Sequence, residues 1–382
     1  MSLKQMIAAT QEEVASKEAQ VKEKRFLMGF DAFIDEISEM VDERKDFKHY
    51  SKLKTISDFG HRILGAAGLS NSMEMVPQYL KTGGSAVNMG SSVYHLGGIV
   101  DYIGCIGYPD VHPVFAEFAE SVNQAYNIAD PGYTLALEFQ DGKIMICNTQ
   151  PLRDITWDRI SETVGLETFG SLIAQADVVG SINWTMTPYM DAIWQKMQTE
   201  LLPAVQFERR DPIFFVDPID PAKRDNQDIV QAMARLAGFS NHFRTVLSLN
   251  RKEATEVGKA FGLDLGVPLP EAPLEAITRE LYRCLDLYGL LVHPVDCAAC
   301  MWNGEYYEAP GPYAKEPRLT TGAGDNFNAG FVVATLLGLS PTESLVLGNA
   351  VSGFYVRQAK NPTFAELVTF MDTWQDNWDG DF

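Results

Sequence analysis

The stretch Leu319-Thr-Thr-Gly-Ala-Gly-Asp-Asn-Phe-Asn-Ala-Gly-Phe331 holds the clearest structural signal in the sequence. No residue from 327 to 339 is charged, which predicts a helix that is apolar almost all round and buried in the core. At its start, Gly322, Ala323 and Gly324 leave the backbone N–H groups uncovered at the positive end of the helix dipole. The stretch therefore predicts a helix start that binds an anion such as a phosphate group.

Asp325 follows these uncovered N–H groups, and two interpretations fit it. An acid beside a phosphate is electrostatically unfavourable, but in phosphoryl transfer it can accept the proton of an attacking hydroxyl. The same acid can instead complement the dipole of a helix whose start is softened by glycine. The residues alone support both interpretations equally.

Short apolar runs recur along the chain, and helical patterns separate them. The runs are residues 26–30, 98–104, 176–182, 212–217, 245–249 and 289–293. Alternating strands and helices predict an α/β fold with a doubly wound, mostly parallel sheet, whose ligands lie beyond the carboxyl ends of the strands. The polar residues that end four of these runs are therefore expected to face a ligand: Asp31, Asp217, Asn250 and His293.

A hairpin pattern stands outside this alternation. Two runs of alternating polarity within residues 133–146 flank Asp141-Gly142, a strong hairpin signal. We expect this region to form a small β lid over the sheet, with lid segments within residues 36–80 and 132–150.

The rest of the chain divides into a short leading segment and one large domain. Residues 1–25 are predicted to form a charged N-terminal surface helix, with a thin apolar stripe at Ile7, Val14 and Val21. Residues 26–382 form the main domain, which is long enough to bury a full hydrophobic core.

The composition restricts the partners. Asp and Glu outnumber Lys and Arg by 51 to 31, a net charge of −20, so the surface should repel nucleic acid. The charged first 25 residues lack the apolar core of a signal peptide, and no apolar stretch approaches the roughly 20 residues of a membrane span. Five scattered cysteines favour a reducing compartment. We expect a cytoplasmic protein with no nucleic-acid and no membrane partner.

Cys297-Ala-Ala-Cys300 has the spacing of a redox motif. It lies among alanines that lead into Met301 and Trp302, and no second cysteine pair is available for zinc. Buried packing is therefore the favoured interpretation of both thiols.

Asn250-Arg-Lys-Glu253 directly follows a predicted strand. An Asn and a Glu three residues apart lie on one face of a helix start, where their oxygens could organise Mg²⁺ through water. The same pair is also the pattern of a helix cap, with Glu253 closing a capping box. Because caps are common, the capping interpretation is favoured when this motif is taken alone.

Together these motifs resemble the ribokinase (PfkB) family of carbohydrate kinases, over roughly residues 26 to 360. The motifs that carry the resemblance are Gly322-Ala-Gly-Asp325 with Phe327 and Ala329-Gly-Phe331, Gly83-Gly-Ser-Ala-Val-Asn88, Asp217-Pro218 with Arg224, Asn250-x-x-Glu253, and Leu347-Gly-Asn-Ala-Val-Ser352. The resemblance implies a ribokinase-like kinase domain that transfers a phosphoryl group from ATP to a sugar hydroxyl.

The resemblance also implies roles for individual residues. Asp325 would be the general base, and the backbone of Gly322, Ala323 and Gly324 would form the anion hole. The sugar would contact Asp31, Asp35, Gly83, Gly84 and Asn88; the nucleotide would contact Asn250, Thr321 and Asn349; and Mg²⁺ would lie near Glu253 and Asn250. The implied partners are a small-molecule sugar and a nucleotide. Separately, an edge of the lid strands could pair with a second copy, so the oligomeric state stays open between a monomer and a homodimer.

The sequence departs from the family pattern at three points. Leu319 stands where the family usually has an acid or amide, and residues 293–298 replace the usual Thr-x-Gly-x-x-Gly loop of the nucleotide site. Asp35 falls one residue later than in most members, which is similar to the ADP-dependent sugar kinases. The alternatives are therefore an ADP-dependent sugar kinase, a nucleoside kinase, or a catalytically silent sugar-binding or regulatory protein.

Overall fold

A computed structural model describes residues 2–378 and Gly380, and within these residues the chain forms a nine-stranded main sheet and a five-stranded small sheet. The strands in chain order are β1 (Arg25–Phe30), β2 (Phe33–Arg44), β3 (Tyr50–Lys52), β4 (Met75–Gly83), β5 (Ile99–Gly104), β6 (Gln124–Asn127), β7 (Gly132–Phe139), β8 (Gly142–Asn148), β9 (Val178–Ile182), β10 (Ile213–Asp217), β11 (Arg244–Asn250), β12 (Gly289–His293), β13 (Cys297–Trp302) and β14 (Glu305–Pro310).

The helices surround these strands. In chain order they are α1 (Leu3–Ala15), α2 (Glu18–Val21), α3 (Ile56–Gly65), α4 (Ser85–His95), α5 (Ala116–Ser121), α6 (Trp157–Thr163), α7 (Leu166–Gln175), α8 (Met190–Lys196), α9 (Asn226–Ala237), α10 (Arg251–Ala260), α11 (Leu274–Cys284), α12 (Ala323–Leu336), α13 (Pro341–Gln358) and α14 (Phe364–Asp376). Among the described residues, no helix combines the length and the apolarity needed to cross a bilayer.

The main sheet has the order β14-β13-β12-β11-β10-β9-β1-β5-β6. All neighbouring pairs from β12 to β6 are parallel, and β13 and β14 add an antiparallel edge. From β1 the chain moves to β5 and β6 on one side and then returns to β9 on the other. The switch point therefore lies between β1 and β9, where a doubly wound sheet opens a crevice for ligands. The predicted doubly wound α/β fold is confirmed.

Helix α12 runs through the core of the main domain. Its residues from Asp325 to Ala334 are all buried, as the uncharged sequence predicted. Gly330 faces Gly348 of α13 so closely that a Cβ on Gly330 would lie 2.9 Å from the Gly348 Cα. The two glycines therefore let α12 and α13 pack backbone to backbone, which fixes the start of α12 relative to the sheet.

The small sheet is built around the long strand β2. This strand pairs antiparallel with β3 and β4 and parallel with β7, and the hairpin predicted at Asp141-Gly142 joins β7 to β8. Met40, Leu53, Phe59 and Leu137 form a second, smaller core beneath α3. Strand β2 begins three residues after β1 ends, and β4 leads directly into α4, so the small sheet projects from the carboxyl edge of the main sheet.

The leading segment differs from the single surface helix that the sequence predicted. It forms α1 and α2, and Ile7, Val14 and Val21 are fully buried. Helix α1 packs against α14 and α13 of the main domain. The thin apolar stripe is therefore an anchor that attaches the segment to the core.

Candidate active site

Asp31 and Asn183 meet at the switch point of the main sheet. Asp31 follows β1, Asn183 follows β9, and the Asn183 side-chain amide donates to Oδ2 of Asp31 over 2.8 Å. The backbone N–H groups of Ser85 and Ala86 also donate to this carboxylate, over 3.1 and 2.8 Å. Asp31 is fully buried, and burial raises its pKa despite these hydrogen bonds. Its carboxylate thus holds the start of α4 against the end of β1.

Gly83 and Gly84 let three chain segments approach closely at this point. A Cβ on Gly83 would lie 2.7 Å from Oδ2 of Asp35, and one on Gly84 would lie 2.6 Å from the Cα of Ala32. Gly84 also has a φ of 94°, which L side chains rarely adopt. Gly84 is therefore required by backbone packing, whereas Gly83 leaves room for the Asp35 side chain, whose carboxylate lies directly above it.

Asp325 lies in the first turn of α12 and is 6% exposed. The side-chain amide of Asn88 on α4 donates to its Oδ2 over 2.9 Å. Burial, together with the negative charges of Asp31 and Glu253, raises the pKa of Asp325 to about 7. A carboxyl group that titrates near neutral pH can accept a proton from a hydroxyl and release it again, which suits general base catalysis.

Tyr355 fixes the turn that precedes Asp325. Its hydroxyl donates to the backbone carbonyl of Thr321 over 2.8 Å. Because carbonyl and N–H point in opposite directions across a trans peptide, this bond turns the Gly322 N–H away from Tyr355. Gly322 has a φ of 93°, and a Cβ there would lie 2.8 Å from the Tyr355 hydroxyl oxygen. Only glycine fits this position without displacing Tyr355.

The N–H groups of this helix start are not all available to a ligand. The Ala323 N–H donates to the carbonyl of Thr320 over 3.1 Å, because the turn closes on itself there. In the described part of the chain, the N–H groups of Gly322, Gly324 and Asp325 have no protein acceptor. Of the predicted anion hole, the Ala323 N–H is therefore already hydrogen-bonded, whereas those of Gly322 and Gly324 have no acceptor among the described residues.

Two cavities flank the start of α12. The first, of about 720 Å³, is lined by Asp35, Lys81, Asn88, Thr321, Asn326 and Tyr355, among others. The second, of about 270 Å³, is lined by Asn250, His293, Gly324, Phe327, Asn349 and Val356, among others. Of the predicted sugar contacts, Asp35 and Asn88 line the first cavity, whereas Asp31, Gly83 and Gly84 support it from behind.

Thr321 is one of the three residues for which the resemblance implied a nucleotide contact. It lines the first cavity, while the preceding Thr320 lines the second, because successive residues of this turn face opposite sides. Asn250 and Asn349, the other two of these residues, line the second cavity. The Asn349 amide nitrogen donates to the carbonyls of Ala309 and Pro310 over 3.1 and 3.2 Å, which holds α13 against β14.

His293 covers one wall of the second cavity. Its ring stacks on Phe327 with a centroid distance of 4.8 Å. Burial lowers its pKa to about 4, so the ring is neutral near pH 7. Pro294, Pro312 and Pro317 line the same cavity, which gives it a largely apolar surface suited to a flat ring.

Asn250 and Glu253 form a complete capping box at the start of α10. The Glu253 N–H donates to Oδ1 of Asn250 over 3.0 Å, and the Asn250 N–H donates to Oε2 of Glu253 over 2.8 Å. Oε1 of Glu253 accepts the N–H of Asp220 over 3.0 Å. The capping interpretation of this motif is therefore confirmed, and both carboxylate oxygens already accept hydrogen bonds.

Buried acids collect near this cap. Burial raises the pKa of Asp217, and the negative charges of Glu253 and Asp325 raise it further. Within the described residues, no group of three or more His, Cys, Asp or Glu side chains is arranged to hold a metal ion directly. The negative charges of Asp217, Glu253 and Asp325 repel one another. A hydrated divalent cation bound nearby through water would be electrostatically compatible with this arrangement.

Cys297 and Cys300 lie on β13 and are free thiols. Burial raises the pKa of each to about 12, so neither thiol forms a thiolate near neutral pH. Cys300 is fully buried, which agrees with a packing role, whereas Cys297 is half-buried.

Sequence reasoning missed two buried asparagines. Asn183 directly follows β9, as Asp31 follows β1. The expectation that polar residues at strand ends face a ligand would have found Asn183, had it been applied to β9. Asn328 donates from its amide to Oδ2 of Asp217 over 2.8 Å and accepts from the Ser248 hydroxyl over 2.6 Å. The feature of the sequence that indicated Asn328 was its position as a polar residue inside an otherwise apolar helix.

Comparison with known proteins agrees with this geometry. A model of the family described as prokaryotic ketohexokinase matches residues 3–374. A ketohexokinase of Haloferax volcanii is 29% identical over 362 residues, which covers 93% of this chain and 92% of that protein.

Comparison with solved structures identifies the fold. Phosphofructokinase-2 from Escherichia coli, in complex with substrates and products, has a TM-score of 0.64 at 11% identity, over 92% of this chain and 98% of its own. Ribokinase of Arabidopsis thaliana, complexed with ribose and ATP, has a TM-score of 0.62 at 18% identity, over 91% and 98%. These structures share the ribokinase fold. By its match to the family model over nearly its whole length, the chain belongs to the prokaryotic ketohexokinase family and is a carbohydrate kinase.

Proposed function

We propose that this protein phosphorylates a ketohexose, with ATP as the phosphoryl donor and Asp325 as the general base. The observation that carries this proposal is the position of Asp325. Its carboxyl group is buried, has a pKa of about 7 and stands at a helix start that separates two cavities. One cavity would hold the sugar and the other the nucleotide.

In the proposed reaction, a sugar hydroxyl in the first cavity donates its proton to Asp325 as its oxygen attacks the terminal phosphorus of ATP. The new P–O bond forms as the bond to the bridging oxygen of ADP breaks, and ADP carries the electron pair away. The N–H groups of Gly322 and Gly324 donate to the oxygens of the transferred group, where negative charge is concentrated. Asn88 orients the Asp325 carboxylate through its hydrogen bond.

The second cavity supports a nucleotide donor. Its proline and valine side chains, with Phe327, suit the base of a nucleotide, and Asn250 and Gly324 lie at its polar end. The ribokinase that was solved with ribose and ATP supports ATP as the donor. When bound, Mg²⁺ would neutralise phosphate charge, and we propose that Asn250, Glu253 and Asp217 hold it through water.

The small sheet is proposed to act as a lid. It carries Asp35 and Lys81 over the first cavity and joins the main domain through the short segments after β1 and before α4. Closure of such a sheet over a bound sugar would exclude water, which limits wasteful hydrolysis of the donor.

A homodimer through this sheet also belongs to the proposal. Tyr79, Leu80 and Ile146 expose 56, 49 and 53% of their surfaces on the small sheet, and β8 is an edge strand. Apolar side chains beside a free strand edge favour pairing with a second copy. The five free cysteines support the expected cytoplasmic location, where thiols stay reduced.

The proposed function is tested by incubating the purified protein with Mg²⁺, ATP and a panel of ketohexoses, aldohexoses, pentoses and nucleosides. Mass spectrometry would identify the phosphorylated product, and ADP formation would give the rate. We expect turnover with a ketohexose at the highest kcat/KM of the panel. A higher kcat/KM for a nucleoside or a pentose, or turnover with ADP and none with ATP, would reject it.

A further inference from the structure

Lys81 on β4 lies directly opposite Asp35 on the neighbouring antiparallel strand β2. Residues in such a pair have Cβ atoms about 5 Å apart and point to the same face of the sheet. Both side chains line the first cavity, on the side that the small sheet covers. A cation and an anion thus face the same space, next to the residues that hold Asp325.

Lys81 differs from the other lysines of the small sheet. The ammonium of Lys52 binds Glu39 over 2.7 Å, and that of Lys143 binds Glu138 over 3.2 Å. Lys81 is half-buried, and burial lowers its pKa. In the part of the chain that the structure describes, no side chain or carbonyl accepts a hydrogen bond from its ammonium. This group has given up part of its hydration, and within the described residues it gains the electrostatic attraction of Asp35 but no hydrogen-bond acceptor.

The chemistry of a sugar matches this arrangement. An ammonium group has three donors and no acceptor, whereas an ionised carboxylate only accepts. A hydroxyl group both donates and accepts, so one hydroxyl, or two on adjacent carbons, can accept from Lys81 and donate to Asp35. Burying a charged donor without such a partner is costly, and a bound hydroxyl would remove that cost.

We propose that Lys81 determines acceptor specificity by donating hydrogen bonds to hydroxyl oxygens of the sugar, with Asp35 accepting from the same or the adjacent hydroxyl. This inference rests on the proposed ketohexose acceptor and assigns the sugar a contact on the small sheet. Lys81 approaches the sugar from the small sheet, whereas Asp325 and Asn88 belong to α12 and α4 of the main domain.

The contact forms when the sugar binds and persists in the transition state. Its loss should therefore raise KM for the sugar and leave kcat nearly unchanged. A hydrogen bond from a charged donor corresponds to about a 10- to 100-fold change in KM. KM for ATP should stay constant, because the second cavity contains no residue of the small sheet.

The experiment compares Lys81→Met, Lys81→Arg and the matched control Lys52→Met with the wild-type enzyme. D-fructose serves as the ketohexose, ATP as the donor, and thermal melting verifies that each variant is folded. We expect Lys81→Met to raise KM for fructose at least about 10-fold. Lys81→Arg should show a smaller rise in KM for fructose, and Lys52→Met should change neither KM for fructose nor KM for ATP. Equal rises in both KM values, or no rise for fructose, would overturn the inference.

A panel of monodeoxy ketohexoses identifies the hydroxyl. With the wild-type enzyme, one deoxy sugar should show a raised KM, and this penalty should disappear in Lys81→Met. A penalty that is the same in both proteins would assign recognition of that hydroxyl to another residue and refute the role of Lys81. If the wild-type enzyme turns over no ketohexose, the proposed function fails first, and the two failures are thereby distinguished.

Discussion

The side-chain amide of Asn88 donates a hydrogen bond to Oδ2 of Asp325 over 2.9 Å, and so joins α4 to α12 across 237 residues of sequence. Asn88 lines the first cavity, while Asp325 stands behind it at the helix start. In the proposed reaction, this bond orients the carboxylate toward the sugar hydroxyl. The proposed base is therefore bonded to the same helix, α4, whose start is held by Asp31.

Replacing Asp325 with Asn should remove the proton acceptor while keeping nearly the same shape. We expect kcat to fall about 10²- to 10⁴-fold, the usual contribution of a general base. Binding of fructose, followed by calorimetry, should change little. Asp101→Asn serves as the control, because Asp101 on β5 is also a buried acid but pairs with Asn123 and Arg25. Full activity of Asp325→Asn would contradict the base assignment.

The pKa of Asp325 predicts how activity depends on pH. Because the pKa is about 7 and the base must be ionised, kcat/KM for the sugar should rise with pH up to about 7 and then level off. A pH–rate profile of the wild-type enzyme measures this directly. A profile that is flat from pH 5 to pH 8 would argue against ionisation of Asp325 as the controlling step.

The same shift predicts an effect on stability. The folded protein holds the Asp325 proton more tightly than the unfolded chain, whose carboxyl has a pKa of 3.8, so ionisation lowers stability as pH rises from about 4 through about 7. Asp325→Asn does not ionise. Relative to wild type, its free energy of unfolding should therefore increase by on the order of 2 to 3 kcal/mol between about pH 5 and about pH 8. Urea unfolding at both pH values measures the free energy of unfolding of each protein. If the difference between the variant and wild type is the same at both pH values, the raised pKa of Asp325 is refuted.

Gly322→Ala should disturb the anion-binding turn. The new Cβ would lie 2.8 Å from the Tyr355 hydroxyl oxygen. In addition, holding an alanine at a φ of 93° would cost about 1 to 2 kcal/mol. Gly338→Ala is the matched control, since Gly338 has a φ of 78° and open space around its Cα. Both variants should lose stability, but only Gly322→Ala should lose most of its kcat. Equal kcat values in the two variants would show that the Tyr355 contact is unimportant.

Glu253→Gln separates the helix cap from the proposed role near Mg²⁺. Glutamine can still accept one hydrogen bond at the start of α10, but the negative charge is gone. We expect the Mg²⁺ concentration for half-maximal activity to rise about 10-fold, the effect of losing an outer-shell partner. Glu366→Gln is the control, because Glu366 closes an equivalent capping box with Thr363 on α14. The same Mg²⁺ dependence in both variants would leave Glu253 with a capping role alone.

The sequence predicted those features that depend on local pattern. The uncharged run after Phe327, the parallel strands and the Asp141-Gly142 hairpin each follow from residues that are neighbours in sequence. Strand β2 escaped notice because Asp35 and Ser38 are buried polar residues within it, so its polarity does not alternate.

The contacts that complete the site depend on tertiary arrangement. Asn183 reaches Asp31 only because β9 returns to the side of β1, and Lys81 opposes Asp35 only through the register of β4 on β2. The resemblance implied a nucleotide contact for Thr321, whose side chain lines the first cavity while that of Thr320 lines the second. Residue spacing alone does not determine which cavity a loop residue enters.

The start of α12 lies between two cavities whose lining residues do not overlap within the described residues. If the sugar and the nucleotide occupy these cavities as proposed, each substrate can arrive and leave by its own route while the other stays bound. Direct transfer within a ternary complex needs no phosphorylated enzyme, and neither order of arrival blocks the other. A sugar analogue should thus compete with the sugar alone, and a nucleotide analogue with ATP alone.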